Sequence, residues 1–112
     1  MKFLINWLIF TLAIIITAYL LPGVMIQGVA TALVVALVLG IINTLIKPLL
    51  IILTLPINIL TLGLFTLVIN ALLVMLTSAI VPGFGVDNFL SALLFSLILS
   101  IINAFLGRLK KA

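Results

Sequence analysis

The stretch Leu53-Thr54-Leu55-Pro56-Ile57-Asn58-Ile59-Leu60-Thr61-Leu62-Gly63-Leu64-Phe65 lies within an apolar run that extends across residues 49–80. The chain is 112 residues long, 68% hydrophobic and 5% charged, whereas an average soluble domain carries about 25% charged residues. So few polar groups cannot cover a water-soluble fold, and the composition makes lipid the solvent. A single helix over residues 49–80 would be about 48 Å long, too long for a hydrocarbon core of about 30 Å. Proline removes a backbone donor and clashes with the preceding turn, so Pro56 is predicted to bend the run into a short leading segment and a spanning helix. Thr54, Asn58 and Thr61 recur at helical spacing on one face, from which they can satisfy carbonyls that proline leaves without a donor. Lys47, Pro48, Thr54, Pro56 and Thr61 mark a broken segment, either re-entrant or bent along the interface.

Outward from this stretch, Pro and Gly punctuate the hydrophobicity at Leu21-Pro22-Gly23, at Lys47-Pro48 and at Val81-Pro82-Gly83. The expected architecture is an all-α integral membrane domain over residues 1–112. Four transmembrane helices are predicted near 3–21, 29–47, 57–80 and 89–107. The first 25 residues also resemble a secretory signal, but Tyr19-Leu20-Leu21 is not an A-x-A-like cleavage site. A similar segment recurs at 64–81, so the first is expected to be retained. Trp7 and Tyr19 lie near opposite ends of the first helix, as interfacial anchors do.

Six side chains carry formal charge, five basic and one acidic. With four crossings, Lys2, Lys47, Arg108, Lys110 and Lys111 share one side of the membrane, while the Pro-Gly turns share the other with Asp87. The positive-inside rule then places both termini in the cytoplasm. Arg108, Lys110 and Lys111 are expected to meet anionic headgroups on that side. So few charges beside a bilayer exclude nucleic acid as a partner.

Residues 21–49 align without a gap on 81–109. The informative identities are Pro22-Gly23 with Pro82-Gly83, Ala32 with Ala92, and Ile41-Ile42-Asn43 with Ile101-Ile102-Asn103; on the same offset Thr17 matches Thr77. The chain therefore reads as two helical hairpins, repeat one over 4–49 and repeat two over 64–109, joined by a linker over 50–63. Two crossings per copy make the repeat parallel, with a pseudo-two-fold axis along the membrane normal.

Ala32, Ala36 and Gly40 form a small-residue stripe on the second helix, and Ala92, Ser96 and Ser100 form its counterpart on the fourth. Small residues let backbones approach in lipid, so the two helices are expected to cross at the axis, with Ala36 and Gly40 facing Ser96 and Ser100. Gly40→Leu is then expected to overpack the contact. The alternative use of the stripes is to line a path. Asn88 is predicted to cap the last helix with Asp87. Asn6, Asn43, Asn58, Asn70 and Asn103 need partners in hydrocarbon and are predicted to form a polar clasp, Asn43 close to Asn103, or else a site for a small polar ligand or ion.

No cysteine or histidine is present, which excludes thiol catalysis, disulfides and a histidine base, and leaves Asp87 as the only carboxylate side chain. No cofactor or metal site is expected, and enzymatic activity is not.

The run 53–65, followed by Asn70-Ala71-Leu72, resembles the bacterial four-helix membrane family classified as phage holin superfamily four. Leu21-Pro22-Gly23-Val24, Ile42-Asn43, Lys47-Pro48-Leu49 and Val81-Pro82-Gly83-Phe84 fit the same pattern. The resemblance covers nearly the whole chain and implies a small bacterial inner-membrane protein; it brings no catalytic or binding residues. The function expected first is non-enzymatic, through oligomeric assembly as a homo-oligomer or as an accessory subunit of a larger membrane complex. A holin-like lesion former is the second reading, and a small-solute or lipid transporter the third.

Overall fold

In the computed structural model, which describes residues 1–61 and 63–111, eight elements follow in order: α1 (Lys2–Leu20), β1 (Val24–Ile26), α2 (Gly28–Leu45), α3 (Lys47–Leu53), α4 (Leu55–Leu60), α5 (Leu64–Ile80), β2 (Phe84–Val86) and α6 (Phe89–Lys111). Lys2–Leu20, Gly28–Leu53 (α2 running on through α3) and Phe89–Leu109 are long and apolar enough to cross a membrane. Leu64–Ile80 is a shorter apolar helix of 17 residues, about 25 Å in length. The protein is mostly helical, as its composition requires.

Several expectations are corrected. The third long helix does not begin near 57 but at Leu64. Pro56 lies before it, in an entry segment that breaks at Thr54 between α3 and α4. The proline occupies the first turn of α4, where a missing N–H leaves no helical bond unmade. The chain instead turns at Gly63, whose φ of +85° is a left-handed conformation that only glycine adopts without strain. Gly63 N–H donates to the Asn58 carbonyl at 2.8 Å, and Leu64 N–H to that of Thr61 at 3.1 Å.

The chain is not wholly α. The segments after the two Pro-Gly turns pair as an antiparallel ribbon, with Val24 opposite Val86, Met25 opposite Gly85 and Ile26 opposite Phe84. Valine, isoleucine and phenylalanine suit a strand, and the two turns emerge at the same end of the helices. Two further bonds extend the pairing: Gln27 N–H to the Gly83 carbonyl at 3.0 Å and Asp87 N–H to that of Gly23 at 2.8 Å. Asn88 Oδ1 accepts from Ser91 N–H at 2.9 Å and so caps α6.

The long helices form a ring in which α1 and α5 each pack against both α2 and α6. The expected crossing of α2 with α6 is corrected accordingly: they stand on a diagonal of the ring, outside the closely packed pairs. Helices at corresponding places in the sequence flank the ring's centre without touching over much of their length. Ala32, Ala36, Ala92 and Ser96 are buried nonetheless, against the neighbours in the ring.

Burial repeats at the sixty-residue offset. Thr11, Ala13, Ile14 and Thr17 are buried, as are Ala71, Leu73, Val74 and Thr77. So are Ala32, Val35, Ala36 and Leu39, matched by Ala92, Phe95, Ser96 and Leu99. The buried threonines donate to their own helices, Thr17 to the Ala13 carbonyl at 2.7 Å and Thr77 to that of Leu73 at 2.9 Å. Phe84 and Phe95 meet with ring centroids 5.6 Å apart. Trp7 Nε1 donates to the Leu33 carbonyl at 3.0 Å and fastens α1 to α2. A smaller cluster of Ile42, Ile69 and Leu73 is covered by Leu50 and Ile51 of α3 and by Phe65.

Candidate functional site

At the end of the ring away from the ribbon lies a chamber of about 110 Å³. Its polar lining comes from Asn43 on α2, Lys47 at the start of α3, Asn70 on α5, and Ser96, Ser100 and Asn103 on α6. Phe10, Leu39, Val74 and Leu99 complete the wall. Several of these residues face partners sixty positions away: Leu39 and Leu99, Asn43 and Asn103, Phe10 and Asn70. The polar character is uneven between the copies. Asn70, Ser96 and Ser100 correspond to Phe10, Ala36 and Gly40, and Lys47 corresponds to Gly107.

The serine hydroxyls are engaged within α6, Ser96 donating to the Leu93 carbonyl at 2.9 Å and Ser100 to that of Ser96 at 2.8 Å. No side-chain hydrogen bond joins Asn43, Asn70 or Asn103 to another described residue. Their amides, each able to donate and to accept, and the half-buried Lys47 therefore line the chamber without being engaged by one another. Among the described residues no acidic side chain lines it.

A larger cleft of about 660 Å³ adjoins the chamber and shares Phe10, Asn43 and Asn103 with it. Its walls come from α1, α2 and α6, with Phe3, Trp7, Leu37 and Ile41 among them. Gly40 lies on this cleft, and a Cβ added there would meet nothing within 4 Å. The expectation that Gly40 faces Ser100 in a tight contact is thus corrected: the α2 stripe borders the cleft, the α6 stripe the chamber. Gly107 also lines the cleft and has equally open space.

The five asparagines expected in one clasp separate into three groups. Asn43, Asn70 and Asn103 converge on the chamber, and Asn6 sits at the rim of the cleft. Asn58 belongs to the linker. There Thr54 donates to the Leu50 carbonyl at 2.7 Å, and Asn58 Nδ2 donates to Thr54 Oγ1 at 3.1 Å. Thr66 donates to Asn58 Oδ1 at 3.0 Å. Thr61 donates to the Ile57 carbonyl at 2.9 Å, and its oxygen accepts from Phe65 N–H at 3.3 Å. Thr66 was not predicted, because it joins Asn58 only through the turn at Gly63, outside any helical spacing. Lys2 and Arg108 are exposed at the end away from the ribbon; the side chains of Lys110 and Lys111 lie outside the described residues.

Three membrane-length helices, a fourth shorter one and an interior that gathers the polar groups define a small multi-pass membrane protein. The chain belongs to the family described as mycobacterial 4 TMS phage holin, superfamily IV, whose model matches residues 1–105. It is 38% identical over 108 residues to the uncharacterized membrane protein YvlD of Bacillus subtilis, covering 96% of this chain and 91% of that one. It is 42% identical over 119 aligned positions to the uncharacterized protein SCO3922 of Streptomyces coelicolor, covering 90% and 95%. No solved structure matches the chain.

Proposed function

We propose that this is a non-enzymatic protein of the bacterial inner membrane that works by associating, within the bilayer, with copies of itself or with the subunits of a larger complex. Its four long helices cross the membrane as two parallel hairpins with both termini in the cytoplasm. The paired hydrogen bonds of the ribbon and the matching burial at a sixty-residue offset support the hairpin repeat. The basic residues at the end away from the ribbon support the orientation.

One observation carries the functional reading. The outward faces of the long helices are apolar, as at Leu8 and Leu12, Val34 and Ile41, Leu72 and Leu76, Leu94 and Ile101. Where hydroxyls reach the outside they are tied back to their own helix, as Thr44 is to the Gly40 carbonyl at 2.8 Å. Such a surface offers lipid-phase packing to other helices and offers no wettable wall.

The family description, phage holin, supports a second reading, a lesion former. Induced expression in bacteria separates the two. Association predicts an intact membrane potential and co-purification of further copies or subunits in mild detergent. Abrupt loss of potential and lysis would establish the second reading instead.

A further inference from the structure

We propose that the chamber and the cleft together hold one anionic phospholipid, its phosphate at Lys47 and the amides of Asn43 and Asn103, and an acyl chain along Trp7, Leu37 and Ile41. The two spaces adjoin, with Phe10, Asn43 and Asn103 lining both. The smaller one presents donors: the Lys47 ammonium and three amides without a hydrogen-bonding partner among the described residues. None of these groups is a sealed-off buried atom, and an ammonium beside amide N–H groups is matched by an anionic acceptor. A phosphate supplies one, and with no acidic residue lining either space nothing there repels it.

The larger space fixes the rest of the ligand. Its walls are mostly apolar and come from α1, α2 and the far part of α6, as suits an acyl chain. The cleft holds about 660 Å³, room for a flexible acyl chain. Gly40 and Gly107 keep the space open by contributing no side chain. Lys47 stands at the end of the molecule that carries Lys2 and Arg108, where its long stem can follow apolar surface and deliver the charge to a phosphate.

The test is native mass spectrometry of the full chain in detergent, titrated separately with dioleoyl phosphatidylglycerol, dioleoyl phosphatidylcholine and inorganic phosphate. The parent protein should retain phosphatidylglycerol about five-fold more than phosphatidylcholine, the effect of roughly one lysine beside an anionic headgroup. Lys47→Gln should remove that preference while keeping phosphatidylcholine uptake. Gly40→Phe, which fills the cleft, should reduce retention of both lipids. Gly107→Leu carries the same arm if circular dichroism shows that Gly40→Phe does not fold. Equal retention of the two lipids by the parent, or an unchanged pattern in Lys47→Gln or in the cleft variants, would overturn the assignment. So would retention of inorganic phosphate as strong as that of lipid, which would make the chamber a free-anion site.

Discussion

Asn43 and Asn103 stand sixty residues apart in sequence, line the same chamber, and form no hydrogen bond with each other. Their amides therefore hold no helix in register. Replacing either with leucine removes a polar group without breaking a bond, a change that is near neutral when no partner is orphaned. Asn43→Leu and Asn103→Leu are expected to shift stability by less than about 1 kcal/mol in a lipid-free detergent preparation. Asn58→Leu, which strands Thr66 and removes the donor to Thr54, should cost about 1–2 kcal/mol. Thermal unfolding followed by circular dichroism reads all three. Asn43→Leu costing as much as Asn58→Leu would show that the chamber amides clasp each other after all.

Glycine substitutions separate three local environments. Gly23 has φ +89°, and an added Cβ would lie 2.7 Å from Ser91 Oγ. Gly28 has φ +92° with nothing within 4 Å. Gly40 is helical and open. Gly28→Ala should cost about 1–2 kcal/mol for the left-handed backbone alone, and Gly23→Ala more, because Ser91 must also move. Gly40→Ala should stabilise by about 0.5–1 kcal/mol through helix propensity. Destabilisation by Gly40→Ala in the same unfolding experiment would mean that α2 is closely packed at this point.

The contrast at Gly40 shows where the sequence was legible. Composition made the chain a membrane protein, and the Pro-Gly pairs at 22–23 and 82–83 located two turns correctly, because a break in so apolar a chain has few readings. The convergence of Asn43, Asn70 and Asn103 was not legible as a chamber. Asn70 is contributed by α5, outside the 21–49 and 81–109 alignment, and which face of α5 turns inward depends on the turn at Gly63. Pro56 misled because proline at a helix start and proline within a bend look alike in sequence. The small-residue stripes misled similarly: a glycine that permits close approach and one that borders open space are the same letter. The ribbon was hidden because three-residue strands leave no periodicity to read.

Orientation is open to a direct check. Single cysteines at Gln27, beside the ribbon, and at Ala112 can be labelled on intact cells with a membrane-impermeant maleimide. Gln27→Cys should label without permeabilisation and Ala112→Cys only after it. The reverse pattern would place the basic end outside and remove the cytoplasmic position of Lys47.

Association in the bilayer is tested most directly by extracting the protein from its own membrane into polymer nanodiscs, without detergent, and counting chains per disc by single-molecule photobleaching of a fluorescent C-terminal tag. Predominantly two or more bleaching steps per disc, or one step together with stoichiometric foreign subunits on a gel, is the predicted result. Single steps in discs that contain no other protein would contradict it.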